Sequence, residues 1–280
     1  MATKKEAEMT VIASPAAGNR NASSRDYISF SAINTFQTCS LRYYFRYVLG
    51  LSEDTISASL VMGSAIHSCL QFHFEQLLAG NQSPSLDVLL DVFHDSWQSH
   101  AGQQFIFGKG EDINTVSRLA ERMLRAFQTS ALAHPSGTII AVEEELRGQL
   151  IPGVPDLLAR VDLVIDDGDA LAVTDFKTAR TVWSQDHVDE SAEQLLLYHE
   201  LAKELSDGKP VKLGFAVLSK TKVPGVAIYP VEASAQRLER TKKVVERAWR
   251  VIKSGVFLPS PSPLHCPTCP FRAPCSQGKW

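Results

Sequence analysis

Read only for where its apolar residues fall, the chain changes rhythm near its middle. Up to about residue 130 hydrophobic positions recur every three to four residues, the period of a helix with one buried face. Ser31 to Leu49 predicts a first helix, capped by Ser29 or Ser31 and closed by Gly50; Ser59 to Leu78, Leu86 to Trp97 and Thr115 to Ser130 predict three more. From Thr138 the pattern becomes that of strands. Thr138 to Leu150, Leu157 to Ile165 and Ala170 to Lys177 read as a meander, turning at Ile151-Pro152-Gly153 and at Asp166-Asp167-Gly168-Asp169. A helix from about Asp189 to Leu205, strands at Val211 to Ser219 and Val226 to Val231, and a helix over Gln236 to Lys253 complete the order. Helices, then a three-strand meander, then helix, strand, strand, helix predict one α/β domain over 27–280. Its mixed sheet would be flanked by helices, with a helical region at about 68–135.

Composition adds limits. The 280 residues are 44% hydrophobic and 21% charged, ordinary for a globular protein. No run approaches the roughly 20 apolar residues of a membrane span. Residues 1–26 are polar and rich in small side chains without an apolar signal-peptide core, so a disordered tail on a cytoplasmic protein is expected. The net charge of −3 leaves no overall electrostatic footprint for nucleic acid. Locally the balance differs: Gln236 to Lys253 holds seven basic residues against Glu239 and Glu246. Leu238, Val244, Val245, Ala248, Trp249 and Ile252 recur there at helical spacing, giving one buried and one basic face. A solvated surface helix and a phosphate-tracking one both fit that pattern.

Five cysteines are unevenly spread: Cys39 near the start, Cys69 among apolar neighbours, and Cys266, Cys269 and Cys275 in C-P-T-C-P-F-R-A-P-C. Four thiolates suit a tetrahedral zinc ion or an iron–sulfur cluster. An odd count with a clustered trio fits a metal site in a reducing compartment better than a disulfide framework. Sharing one site, Cys39 and the 264–276 segment would clamp the beginning of the fold to its end.

The candidate chemistry lies between. Asp162 falls in the second strand of the meander and Asp175 and Lys177 in the third, so a short hairpin can bring them together. Residues i and i+2 of a strand share a face, which puts the Asp175 carboxylate beside the Lys177 amine. Charged groups facing inward must be paired or bind a metal. A plain Asp–Lys ion pair satisfies this, and so does a site for Mg²⁺ or Mn²⁺, which prefer oxygen ligands. Gln194 and Tyr198 share a helix face at i, i+4. His67 sits on an early helix among apolar residues. Of Glu143, Glu144 and Glu145, in the first strand of the meander, one could enter the active-site face, but alternation cannot say which, and a solvated or basic-paired role is expected.

In order along the chain, G-x-x-x-H at Gly63 to His67, R-V-D at Asp162, D-F-K-T at Asp175 to Thr178 and Q-L-L-L-Y at Gln194 to Tyr198 resemble the RecB-like branch of the PD-(D/E)XK nucleases. The cysteines resemble those of its iron–sulfur members, the CRISPR-adaptation exonucleases and the nuclease domain of AddB. The resemblance implies a restriction-endonuclease-like core. It implies a divalent metal on His67, Asp162, Asp175 and the Phe176 backbone carbonyl, with Lys177 as the catalytic lysine and Gln194 and Tyr198 orienting lysine, water or strand. It favours a [4Fe–4S] cluster over zinc on Cys39, Cys266, Cys269 and Cys275. The literal Pro155-Asp156 lies about 20 Å along the strand from Asp162 at ~3.3 Å per residue, so Asp162 is taken as the ligand. The implied activity is metal-dependent hydrolysis of DNA, as an exonuclease on single strands or ends in repair, recombination or CRISPR adaptation. The rival is a non-hydrolytic end-binding subunit of a helicase or integrase complex.

Overall fold

The strand pattern becomes a six-stranded mixed sheet in a computed structural model that describes residues 26–278. The strands are β1 (Tyr27–Ser29), β2 (Thr55–Ser57), β3 (Gln104–Ile106), β4 (Thr138–Gly148), β5 (Asp156–Asp166), β6 (Leu171–Ala179), β7 (Val211–Ser219) and β8 (Val226–Val231). The sheet runs β1-β5-β6-β7-β8 with β4 also on β5, while β2 and β3 form a separate parallel pair. β1 runs parallel to β5 and β6 parallel to β7; the β4–β5, β5–β6 and β7–β8 pairs are antiparallel. The turn between β5 and β6 is made by its aspartates. Asp166 accepts from the Gly168 amide at 2.9 Å and Asp167 from the Ala170 amide at 2.7 Å, and Gly168 takes φ +95°, which a residue with a Cβ adopts only at a cost.

Helices cover both faces of the sheet. On one side lie α1 (Phe30–Thr38), α6 (Gln185–Ser191), α7 (Glu193–Ala202) and α8 (Ala235–Ser254), burying Leu195, Leu196, Val245 and Ile252 against Val161, Val173 and Phe215. On the other lie α3 (Ala58–Leu78), α4 (Leu86–Gln98) and α5 (Ile113–Gln128), where Phe74, Phe93 and Phe127 pack with Leu163 and Phe176. Each such phenylalanine, fully removed from water, contributes roughly 1.5–3 kcal/mol. Parallel β6 and β7 need a crossover, which α6 and α7 supply.

The single helix expected over Ser31 to Leu49 is broken. α1 is capped by Ser29, whose hydroxyl accepts from the Ala32 amide at 3.3 Å, and stops at Cys39, which is extended at φ −161° and ψ 109°. Beyond it come α2 (Ser40–Tyr43) and a π-helical turn, Tyr44–Val48. A distant segment compensates for the break. The Leu258 carbonyl accepts from the Leu41 amide (3.2 Å) and the Ser40 hydroxyl (3.0 Å), and the Leu258 amide donates back to that hydroxyl (2.8 Å). Leu41, Phe45 and Phe271 are buried together at this junction, and the last short helix, α9 (Arg272–Ser276), completes it.

The helix expected from Asp189 to Leu205 begins earlier, where Ser184 caps α6 through the His187 amide (3.3 Å), and is interrupted at Ala192. Only Val188 of α6 is buried, so that turn left almost no apolar pattern to read. The basic helix stands close to its expected bounds and is closed by Gly255 at φ +72°. β1, β2 and β3, three residues each, are too short to show a period. Apart from Asp26, the expected disordered tail lies outside the described residues. No helix among the described residues is long and apolar enough to cross a membrane.

Candidate active site

The sheet splits where the candidate residues gather. β5 pairs with β1 through Asp156 to Leu158 and with β6 only from Leu163 to Asp166, so the β6-side edge of Ala159 to Asp162 has no strand partner. Past the Leu163–Thr174 pair the β5–β6 ladder stops. There the Phe176 amide donates instead to the carboxylate of Asp162, at 2.5 Å to Oδ2. Tyr198 reaches the open edge from α7 through a hydrogen bond with the Arg160 backbone, and Gln194 donates to the Tyr198 hydroxyl at 2.7 Å.

His67 comes from α3 on the opposite face. Its Nδ1 lies 3.8 Å from Asp162 Oδ2, and its ring is bonded to the Phe176 backbone carbonyl. α3 can come this close because Gly63, one turn before His67, has no side chain; a Cβ there would sit 3.0 Å from the Thr178 hydroxyl. Asp175 and Lys177 meet as their i, i+2 spacing requires, Nζ to Oδ2 at 2.5 Å. That oxygen is buried and faces the ammonium as an ion pair. Asp156 is remote from all this, salt-bridged to Arg147 at 2.9 Å where β5 begins.

Glu143 enters the site and keeps a basic partner as well. Its carboxylate lies within 4.8 Å of the ligating atoms of His67 and Asp162, so the three could share a metal ion, and it pairs with Arg160 at 3.7 Å. The cause is backbone: Glu143 takes φ +53°, between pairs Val142–Leu163 and Glu144–Val161, which places it across from Asp162 in a left-handed kink. Such a conformation in a residue other than glycine costs on the order of 1 kcal/mol or more and tends to occur at functional sites. Three consecutive glutamates hid it, since alternation cannot say which one a kink turns inward.

Electrostatics sharpen the picture. Burial, and then the charge of Asp175, push the Asp162 carboxyl up to about 8. Burial likewise raises Asp175, opposed by Lys177, and Glu143, opposed by Arg160. His67 is held down at about 4 by burial and by the Lys177 ammonium, so its ring is neutral near pH 7 and has a lone pair to offer. Burial lifts the Tyr198 phenol to about 12, keeping it protonated. Crowded carboxylates and a neutral imidazole, all costly to bury alone, form a donor set that a divalent cation would stabilise. The cavity they open onto has a volume of about 740 Å³ and is walled by α3 and the ends of β5 and β6.

The four cysteines predicted to act together line a second cavity, apolar and of about 200 Å³, with Leu41, Phe45 and Phe271. The Cys275 thiol is raised first by burial and then by its neighbours Cys39, Cys269 and Cys266. Cys69 is buried elsewhere, its thiol donating to the Leu89 carbonyl at 3.2 Å and pushed up to about 12 by burial.

The sequence profile of the PD-(D/E)XK nuclease superfamily matches residues 27–276. Among solved structures, the chain is similar to the "Putative exonuclease" from Eubacterium rectale, at 19% identity over 84% of each chain with a TM-score of 0.57, which shows a shared fold. It also aligns with the structure of SSO0001 at 14% identity, over 86% of this chain and 95% of that one, with a TM-score of 0.36. No curated protein matches the sequence.

Proposed function

Because the chain belongs to the PD-(D/E)XK nuclease superfamily, we propose that it hydrolyses phosphodiester bonds in DNA, as an exonuclease on single strands or ends. The observation that carries this reading is the meeting of His67, Glu143 and Asp162 within 4.8 Å beside the Asp175–Lys177 pair. His67, Asp162, Glu143 and the Phe176 carbonyl would hold a Mg²⁺ or Mn²⁺ ion; Asp175, expected among the ligands, falls outside the group of His67, Glu143 and Asp162 and stands beside it, paired with Lys177. Such an ion, when bound, supplies a Lewis acid for the phosphoryl oxygens and an acidified water. Lys177 faces the cavity with its ammonium oriented by Asp175, placed to meet negative charge building on the phosphate. Tyr198 and Gln194 hold the unpaired edge of β5, and with it the carboxylate of Asp162, in place.

The four thiols and their apolar enclosure fit a [4Fe–4S] cluster. One remote cysteine with a closely spaced trio, where all-cysteine zinc sites use two knuckle pairs, supports the cluster over zinc. The cluster's role is structural, clamping Cys39 and the α1–α2 break to the C-terminal segment. Phosphate tracking falls to Arg240, Lys243, Arg247 and Lys253, exposed on α8; within 42–47, Tyr43 and Phe45 are buried and Arg46 is paired with Glu53, so that segment packs the fold instead of stacking bases. Repair, recombination or CRISPR adaptation, beside a helicase or integrase, is the setting this chemistry suits.

Digestion of end-labelled single-stranded DNA with Mn²⁺ tests the reading against Asp175→Ala and Lys177→Ala. Each variant should lose at least about a hundredfold in rate. Equal digestion by all three proteins would overturn the catalytic assignment. Binding of ends with no digestion by the wild type would leave the non-hydrolytic subunit.

A further inference from the structure

Lys220 joins the main cavity to a smaller one that the proposed chemistry does not use. It follows β7, and its amide donates to the Ala179 carbonyl at 2.6 Å, which pins it beside the end of β6. Its ammonium donates to the Ser59 carbonyl (2.9 Å) and lies 3.3 Å from the Ser59 hydroxyl in the first turn of α3. Among the described residues no carboxylate comes within ion-pairing distance of it. On one side it faces Gly63, where a Cβ would stand 3.7 Å from Nζ. Gly63 is one helical turn, ~6 Å, from His67.

On its other side Lys220 lines a recess of about 150 Å³ with Glu111, Thr115, Arg122 and Arg180. Glu111 is already committed, accepting from the Gly108 amide at 3.0 Å and from Arg180 at 2.9 Å. Arg122 makes no ion pair among the described residues. Three cations therefore face one engaged carboxylate in a small side pocket that shares Ser59 and Lys220 with the main cavity. Burial, and then Arg180, hold the Lys220 ammonium down at about 8, so an anion in the recess would relieve it.

We propose that this recess seats a terminal phosphate of the nucleic-acid strand, with Lys220, Arg180 and Arg122 gripping the phosphomonoester while the strand continues past Gly63 toward His67 and Asp162. The proposal rests on the nuclease reading and deepens it. A phosphodiester inside a strand carries one charge and needs a groove open at both ends. A terminal phosphomonoester carries nearly two, matches the excess of cations, and fits a side pocket sized for one group. Guanidinium forks suit its oxygens.

Fluorescence anisotropy in EDTA, with oligonucleotides of one sequence ending in 5′-phosphate, 3′-phosphate or hydroxyls only, tests this on the full chain. Wild type should bind one phosphorylated form about tenfold more tightly than the hydroxyl form, and which form it prefers tells which end is seated. Lys220→Ala and Arg122→Ala should each reduce that preference to within about twofold; Arg122→Ala, at an exposed side chain, should keep the wild-type melting temperature and serves if Lys220→Ala does not fold. Equal wild-type affinity for all three oligonucleotides overturns the proposal. So does an equal loss on all three in both variants, which would mark a general electrostatic contact. Because no cleavage is involved, a phosphate preference without Mn²⁺-dependent digestion defeats only the nuclease reading. Digestion without a preference defeats only the phosphate seat.

Discussion

Phe176 and Asp162 are joined where β5 and β6 part, the backbone amide of one donating to the carboxylate of the other across 2.5 Å. The bond satisfies an amide that the interrupted ladder would leave without a strand partner. It also holds a buried carboxylate at the cavity edge, in a place where it is costly to ionise. The opening of the sheet and the placing of the acid are one structural event.

Asp162 should therefore make the metal-free protein sensitive to pH. An unfolded aspartate has an ordinary pKa near 3.9, while the folded carboxyl stands at about 8. Between those values the folded state binds the extra proton, so stability is greatest at the acid end and falls as pH rises toward 8. Thermal melts in EDTA across that range should show the loss, amounting to a few kcal/mol. Asp162→Asn, which still accepts from the Phe176 amide, should flatten it. Mn²⁺ should flatten it in the wild type by replacing the proton. An unchanged slope in the variant would place its source elsewhere.

Glu143 separates ligand from backbone. Glu143→Gln keeps φ +53° and loses the charge, and calorimetry should show Mn²⁺ affinity falling at least about tenfold. Glu143→Gly should bind the metal as poorly, yet stay within about 1 kcal/mol of wild-type stability. Relief of a left-handed conformation, roughly 1 kcal/mol, offsets the added freedom of the unfolded chain. Undiminished Mn²⁺ affinity in both variants would remove Glu143 from the site.

Tyr198→Phe removes a hydroxyl shared by Gln194 and the Arg160 backbone. The expected cost is about 1–2 kcal/mol in chemical denaturation, with a smaller drop in digestion than Lys177→Ala produces. Since the phenol stays protonated until about 12, the alkaline limb of the pH–rate profile should be the same in variant and wild type. A displaced limb would mean that Tyr198 titrates during turnover.

Cys39→Ser and Cys269→Ser should each bleach the visible absorption of anaerobically purified protein and lower its melting temperature. The Ser40–Leu258 bonds and the Leu41, Phe45 and Phe271 contacts should keep the variants folded at moderate temperature. A colourless wild type containing one zinc per chain would replace the cluster with the simpler metal.

Much of the framework was legible because strands and amphipathic helices are encoded by near neighbours. The meander, β7, β8 and α8 follow from local period and turn residues, and the meeting of Asp175 and Lys177 follows from i, i+2 spacing on one strand. The break at Cys39 was not legible, since the groups that compensate it belong to Leu258, more than two hundred residues away. Glu143 was hidden by a kink that no alternation announces. The recess beside Lys220 exists only where α3, α5 and the ends of β6 and β7 converge. Sequence alone determined the longer strands and amphipathic helices and the faces they bury, because propensity and hydrophobic period act over a few residues. Tertiary structure alone decided where the sheet opens and which charges share a low-dielectric cavity, because those outcomes depend on the packing of segments far apart in the chain.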